Sequence, residues 1–257
     1  MDEGQFQALR AGGFVAAATF ALLLQRLKPH ARLHGSWGVN GMLWLANLIV
    51  IGAVCGACAC TVARWAGQAG IGVLNAWPMP PWLALPITIA ALDFVSYCWH
   101  RANHGLAFLW RFHQVHHSDP TFTVSTAVRF HPGELLLSLP LRLTAVALLG
   151  ASAEAVVLFE VLFTVANLIE HGDIDLPRRT EWLVGRACIT PALHRRHHTR
   201  RGPDRNTNFG TVFALWDRLC GTYAASDSAT QITTGLPGLD GLTLPRAILL
   251  PLRRPAT

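Results

Sequence analysis

The sequence predicts an all-α protein, a multi-spanning membrane bundle of four to five helices beneath a cytoplasmic, histidine-rich helical cap. Of its 257 residues 51% are hydrophobic and only 14% charged, well below the roughly 25% charged residues of soluble domains. Long apolar runs recur along the first two thirds of the chain. Eight of the twelve histidines then gather in three short clusters at helical spacing.

Residues 12–24 form the first apolar run, extended by flanks poor in charge, and residues 39–63 and 82–99 form the next two. Each can cross a hydrocarbon core of about 30 Å, which takes about 20 helical residues. Two shorter runs, 135–150 and 155–169, are separated by residues 151–154 and read as a helical hairpin that spans or dips into the bilayer. Residues 1–81 therefore carry the N-terminal membrane helices, 82–223 the histidine clusters, and 224–257 a tail that lies on the membrane surface or in solvent. No basic region precedes the first run and no cleavage site follows it, so it reads as a retained anchor.

The basic residues set the orientation, because Lys and Arg accumulate on the cytoplasmic side of membrane spans. With the 26–38 loop inside, only Arg10 and Arg64 fall outside and Arg142 within a span; the other eighteen of the 21 lie inside, with the histidine clusters. Cationic loops beside anionic headgroups need no further partner, and no nucleic-acid reading motif accompanies them. Twenty Arg against one Lys, with abundant Ala and Gly, point to a GC-rich genome and hence to a bacterial inner membrane. Cys55, Cys58 and Cys60 lie among Gly and Ala inside the second run, where small residues serve close helix packing.

His100 and His104 are four apart; His113, His116 and His117 stand at i, i+3 and i+4; His194, His197 and His198 repeat that spacing. Residues three and four apart are neighbours on a helix surface, so each cluster is expected to aim two or three ring nitrogens at one point. Asp93, Tyr97, His100 and His104 share a stripe, and an acid within a span is a functional candidate by default. Asp93 is read as an acceptor that orients a ligand imidazole, or as a helix-to-helix hydrogen bond. Glu160, Asn167 and His171 share a second stripe, making His171 a ninth ligand and Asn167 a weak ligand or the holder of a metal-bound water. His131 begins the tetrad His131-Pro132-Gly133-Glu134, superficially similar to the haem loop of cytochrome b5 domains but without room or a second axial histidine. It is read as a cap on the following helix near the metal site, either supporting a ligand or serving as an accessory ligand. His30 and His34 lie in a basic loop and need no function.

Eight or nine imidazoles exceed what one tetrahedral zinc ion takes, and two six-coordinate ions would use about that number. No Glu-x-x-His motif of carboxylate-rich di-iron bundles lies among the clusters, and neither His-Glu-x-x-His nor His-x-x-Glu-His of zinc proteases occurs. The residues Asp93-Phe94, His100-Arg101-Ala102-Asn103-His104, Trp110 through Ser118, Arg129-Phe130-His131-Pro132, Asn167, His171, His194-Arg195-Arg196-His197-His198, Asn208-Phe209-Gly210 and Trp216 through Tyr223 resemble, in this order, the fatty acid hydroxylase and sterol desaturase superfamily. The resemblance covers roughly residues 88 to 223. It implies two non-haem iron ions, with zinc a possible substitute, and hydroxylation or desaturation of a lipid with dioxygen. Two departures limit the transfer: Asn206 stands where many relatives carry an acid, with Phe209 as the following aromatic, and Asn167 stands where some hydroxylases place a histidine.

The only nucleotide-like fragment, Gly70 to Asn75, lacks its third glycine, and no ferredoxin cysteine array is present. Electrons are therefore expected from a separate donor protein docking on the arginine-rich face. Two rival readings use the same histidines: a membrane metal-dependent hydrolase that activates water, needing neither dioxygen nor reductant, and a metal transporter or sensor, which would need polar groups deep along several spans.

Overall fold

The computed structural model describes residues 1–31, 35–55, 58–226 and 232–253, leaving aside the side chains of residues 54, 55 and 58. His34, and the side chains of Cys55 and Cys58, therefore lie outside the described residues. Helices α1 (Glu3–Leu27), α2 (Trp37–Cys55), α3 (Cys58–Gln68), the single turn α4 (Val73–Ala76), α5 (Pro81–Gly105), α6 (Ala107–His117), α7 (Pro132–Leu149) and α8 (Ala153–Glu170) build the bundle. Short helices α9 (Arg178–Val184), α10 (Pro191–His197), α11 (Gly202–Arg205), α12 (Leu215–Leu219) and α13 (Leu244–Leu249) build the cap. No named strand occurs among the described residues, so the all-α expectation holds.

The ends of these helices are written in the sequence. Asp2 caps α1 in a reciprocal box with Gln5, Ser152 accepts from the Ala155 amide at the start of α8, and Thr190 accepts from Leu193 ahead of Pro191 in α10. Gly150, at φ 70°, closes α7 in the left-handed conformation that glycine adopts without strain. The turn from Gly150 to Ser152 makes α7 and α8 the expected hairpin.

Three helices, α1, α5 and α7, are long and apolar enough to cross a membrane, and residues 37–53 of α2 form a shorter apolar helix. The expected second span falls on α2 and α3, with residues 56 and 57 outside the described residues. The apolar residues Phe20, Leu23, Leu45, Ile49, Leu148 and Leu158 are all exposed, as befits helices whose solvent is lipid. Polar groups lie inside instead, among them His113, His116, His117, His171, His194, His197 and His198. The chain is an integral membrane protein by this inversion and its spans.

The bundle has two distinct ends. At one, Met1 faces Glu154 at 3.7 Å, and Phe6, Cys60, Leu92, Val146, Ala151 and Val156 share a core. The Arg10 Nε donates to Glu160 Oε2 over 2.6 Å and its Nη2 to Cys60 Sγ over 3.0 Å. Glu160, read in a stripe with His171, serves this ion pair. At the other end Gln25 of α1 accepts from the Val124 and Asp173 amides, so α1 runs parallel to α8. The C-terminal ends of α5 and α8, the N-terminal end of α7 and the cap meet there around the histidines.

Candidate metal centre

Nine imidazoles converge in two groups, with the ligand nitrogens of each group lying within 4.8 Å of one another. His100, His104, His113, His117 and His197 form one; His116, His171, His194 and His198 form the other. Each trio is split rather than aimed at one point. In α6, His113 and His117 serve the five-histidine group and His116 the other; in α10 and its C-cap, His194 and His198 serve the four-histidine group and His197 the other. The cause is helical: four residues advance about 400°, three only about 300°, so the i+3 ring is turned by roughly 60° from i in the opposite sense to the i+4 ring.

The inward nitrogens face one another. His104 and His117 approach at 3.1 Å, His117 and His113 at 3.2 Å, His171 and His116 at 3.1 Å, and His194 and His171 at 3.0 Å, each between Nε2 atoms. The Nε2 atoms of His100, His197 and His198 are buried with no hydrogen-bond partner. Lone pairs crowded together in this way, in a buried site, are what a cation would satisfy. Each of the two groups could hold a metal ion.

The outward nitrogens hold the rings in place. Nδ1 donates to the Phe209 carbonyl from His100 (2.8 Å), to Arg129 O from His116 (3.3 Å), to Asn167 O from His171 (2.7 Å) and to Thr207 O from His197 (2.8 Å). A carbonyl can only accept, so each bond fixes the proton on Nδ1 and leaves Nε2 free to ligate. Burial, reinforced by the neighbouring rings, holds His116, His117, His194 and His198 well below the ordinary imidazole value. It takes His171 to about 4 and His197 to about 3. These rings are neutral at pH 7, as metal ligation requires.

The remaining residues singled out by sequence take other places. Among the described residues Asp93 has no imidazole partner: its carboxylate accepts from Val212 N (3.3 Å), Phe213 N (3.1 Å) and Trp216 Nε1 (2.8 Å), pinning the segment that follows the Phe209 carbonyl. Asn167 gives its Nδ2 to Ala127 O over 2.9 Å and meets His171 through its backbone carbonyl. His131 caps α7, its Nδ1 accepting from Gly133 N (2.9 Å) and its Nε2 donating to Ile248 O (3.0 Å). Both its nitrogens are used, and it stands outside the two groups.

A family model for fatty acid hydroxylases matches residues 85–222, more than half of the chain and every histidine of both groups. The chain belongs to the fatty acid hydroxylase family. Its curated relatives include an ornithine lipid hydroxylase of Rhizobium tropici, 32% identical over 63% of this chain and 47% of that protein. An alkylglycerol monooxygenase of Danio rerio is 30% identical over 58% and 31%, and a cholesterol 25-hydroxylase of Rattus norvegicus 25% identical over 58% and 49%. The chain thus spans about half or less of the length of these relatives. No solved structure matches it.

In this fatty acid hydroxylase family member the positions that the sequence singled out beside the histidines take definite places. Phe209 is buried and packs edge-to-face with His104 and His197, centroids 5.1 and 5.4 Å away. Asn208 before it adopts φ 54°, a left-handed conformation asparagine tolerates, and its amide ties Leu193 O to Ala224 O. Asn206, exposed, follows α11, where Asp204 pairs with Arg196 at 2.7 Å. Sequence reasoning missed two acids at the site, Glu134 and Glu170, both buried. Glu170 carried a usable signal, an acid beside His171 at the end of an apolar helix; Glu134 carried none, because its partner His113 lies on another helix.

Behind the ligands a cavity of about 140 Å³ runs between α5, α7 and α8. Val95, Trp99, Phe130, Leu135 and Phe163 form apolar walls, and Arg142, half-exposed, stands at the end away from the histidines. From Glu134 to Arg142 is eight helical residues, or about 12 Å. Ser96 and Ser138 donate to carbonyls of their own helices (Leu92 O, 3.0 Å; Leu135 O, 2.8 Å), so the walls offer few competing polar groups.

Proposed function

We propose that the chain is a membrane-bound lipid hydroxylase whose two histidine groups hold two iron ions and which uses dioxygen and electrons from a separate protein. The observation that carries this reading is the buried double histidine centre opening onto an apolar cavity. Iron bound there would supply the dioxygen chemistry that an unactivated C–H bond demands. Hydroxylation is preferred to desaturation because the curated relatives are named hydroxylases and monooxygenases.

The protein's own part is positioning. The walls at Val95, Trp99, Phe130, Leu135 and Phe163 would hold an acyl or alkyl segment against the ligands and exclude water. The carbonyls of Phe209, Arg129, Asn167 and Thr207 would keep the imidazoles aimed. Arg101, Arg178, Arg179, Arg186 and Arg218, all exposed near the cap, form a cationic surface suited to an acidic electron donor. We place this surface and the histidines in the cytoplasm of a bacterial inner membrane, following the distribution of arginine.

The test is to purify the chain in detergent, load it anaerobically with ferrous iron, and count metal. Ornithine lipid, an alkylglycerol and cholesterol are then supplied in turn with reductant and isotopically labelled dioxygen. Two irons per chain and label in a hydroxylated lipid are expected, with turnover falling as ionic strength rises. Zinc should fill the sites and give no turnover. Product without label, or formed in the absence of dioxygen, would sink the hydroxylase reading.

A further inference from the structure

The four-histidine group is one ligand poorer than its neighbour, and Glu170 lies beside it. This glutamate ends α8 next to His171 and is buried, with Oε2 lacking any hydrogen-bond partner. Its Oε1 is 3.9 Å from His194 Nε2 and 3.8 Å from His171 Nδ1. The second contact is not a hydrogen bond, because His171 Nδ1 already donates to Asn167 O at 2.7 Å. The first points at the nitrogen that meets His171 Nε2 at 3.0 Å, the inward, ligating atom of His194.

Glu134 makes the contrast. It also faces the cavity, but its Oε1 accepts the outward Nδ1–H of His113 at 2.9 Å and so orients a ring. Glu170 approaches from the ligating side. Around an ion with bonds of about 2.1 Å, neighbouring ligand atoms sit about 3.0 Å apart and opposite ones about 4.2 Å; a separation of 3.9 Å falls within that span. A buried carboxylate at the negative end of a helix is costly unless a cation meets it. Four neutral imidazoles around a divalent ion leave just such a charge to balance.

We infer that Glu170 is the fifth protein ligand of the four-histidine site, a carboxylate on its cavity-facing side. The inference rests on the two-ion reading of the centre. It makes the protein donors five and five, and the two sites chemically unequal, one all nitrogen and the other with an anionic oxygen.

Anaerobic titration of the full chain with ferrous iron against a competing chelator tests it, with cobalt(II) absorption as a second readout. The parent should bind two ions. Glu170→Ala should bind the first normally and the second at least about tenfold more weakly, with Glu170→Gln between them. In His198→Ala, which already weakens the same site, Glu170→Ala should leave the binding of the other ion unchanged. Melting of the metal-free chains checks folding, and Glu170→Gln should melt no lower than the parent there. Second-ion binding within about twofold of the parent in both Glu170 variants overturns the assignment while leaving the two-ion reading intact. So does a Glu170→Ala loss that falls on the other ion in the His198→Ala background, which would place the carboxylate there. Fewer than two ions in the parent would bring down the two-ion reading itself, and the ligand assignment with it.

Discussion

Glu134 Oε1 accepts from His113 Nδ1 at 2.9 Å and from Asn103 Nδ2 at 3.1 Å, so one carboxylate of α7 ties a ligand of α6 to the ligand-bearing face of α5. Partners of this kind set ring orientation and basicity, and their loss typically costs 10–100-fold in metal affinity. Glu134→Ala should therefore weaken metal binding at the five-histidine group by about that factor. Glu134→Gln keeps an acceptor for His113 and should lose less. Chelator competition measures both; unchanged affinity in Glu134→Ala would show the contact to be incidental.

The interleaved trios make a sharper expectation about adjacent residues. His116→Ala should weaken the ion of the four-histidine group, and His117→Ala, one position on, the other ion. Each variant should keep one tightly bound metal per chain, and the pair together should keep none. Metal analysis after dialysis decides this. Loss of both ions from either single variant would mean that the two groups bind as one unit.

Asp93 acts on the site from a distance. Its three acceptor contacts hold the 212–216 segment, and through it the Phe209 carbonyl that receives His100. Removing a buried acceptor strands its donors at about 1–3 kcal/mol. Asp93→Ala should thus lower the melting temperature of the metal-free chain and weaken metal binding secondarily, while Asp93→Asn should recover part of both. A variant with normal melting but no metal would instead argue for direct contact with the centre.

What the sequence could yield follows from how local each signal is. The helices and nine of the histidines were legible because i, i+3, i+4 spacing and apolar runs are properties of one segment. The partition into five and four was not, since it depends on how α6 and α10 are rotated toward each other. Asp93 stood out as an acid in an apolar run, yet its partners lie about 120 residues away, so the loop it holds could not be read from its own helix. His131 was readable as a cap because Pro132 and Gly133 follow it, whereas its bond to Ile248 O comes from the tail. Glu160 shared a stripe with His171, but three turns of helix put it beside Arg10 at the opposite end.

Glu181 of α9 offers a pH test away from the centre. Burial raises its carboxyl above the ordinary value despite the hydrogen bond from Thr190 and the nearby Arg195. An acid raised in the folded state favours folding while protonated, and that contribution is lost as pH climbs from the unfolded value near 4.5 through the folded one. Glu181→Gln keeps the acceptor for Thr190 without the charge. It should melt above the parent at pH 8 and level with it at pH 4. Equal melting at both values would show that Glu181 ionises in the fold without cost.

The cavity behind the histidines can be separated from the metals by filling it. Ser138 lies one turn along α7 from Glu134, lines the cavity, and spends its hydroxyl on Leu135 O; replacing it breaks no contact with a ligand. In Ser138→Phe the ring would enter a space of about 140 Å³ rather than a packed core, where overpacking costs about 1–3 kcal/mol. Metal stoichiometry and melting should stay close to the parent, while lipid turnover falls at least about tenfold, a barrier increase of about 1.4 kcal/mol. Phe163→Ala enlarges the same space from α8 and should shift preference toward bulkier chains. If turnover survives Ser138→Phe with the metals in place, the lipid reaches the centre by another route.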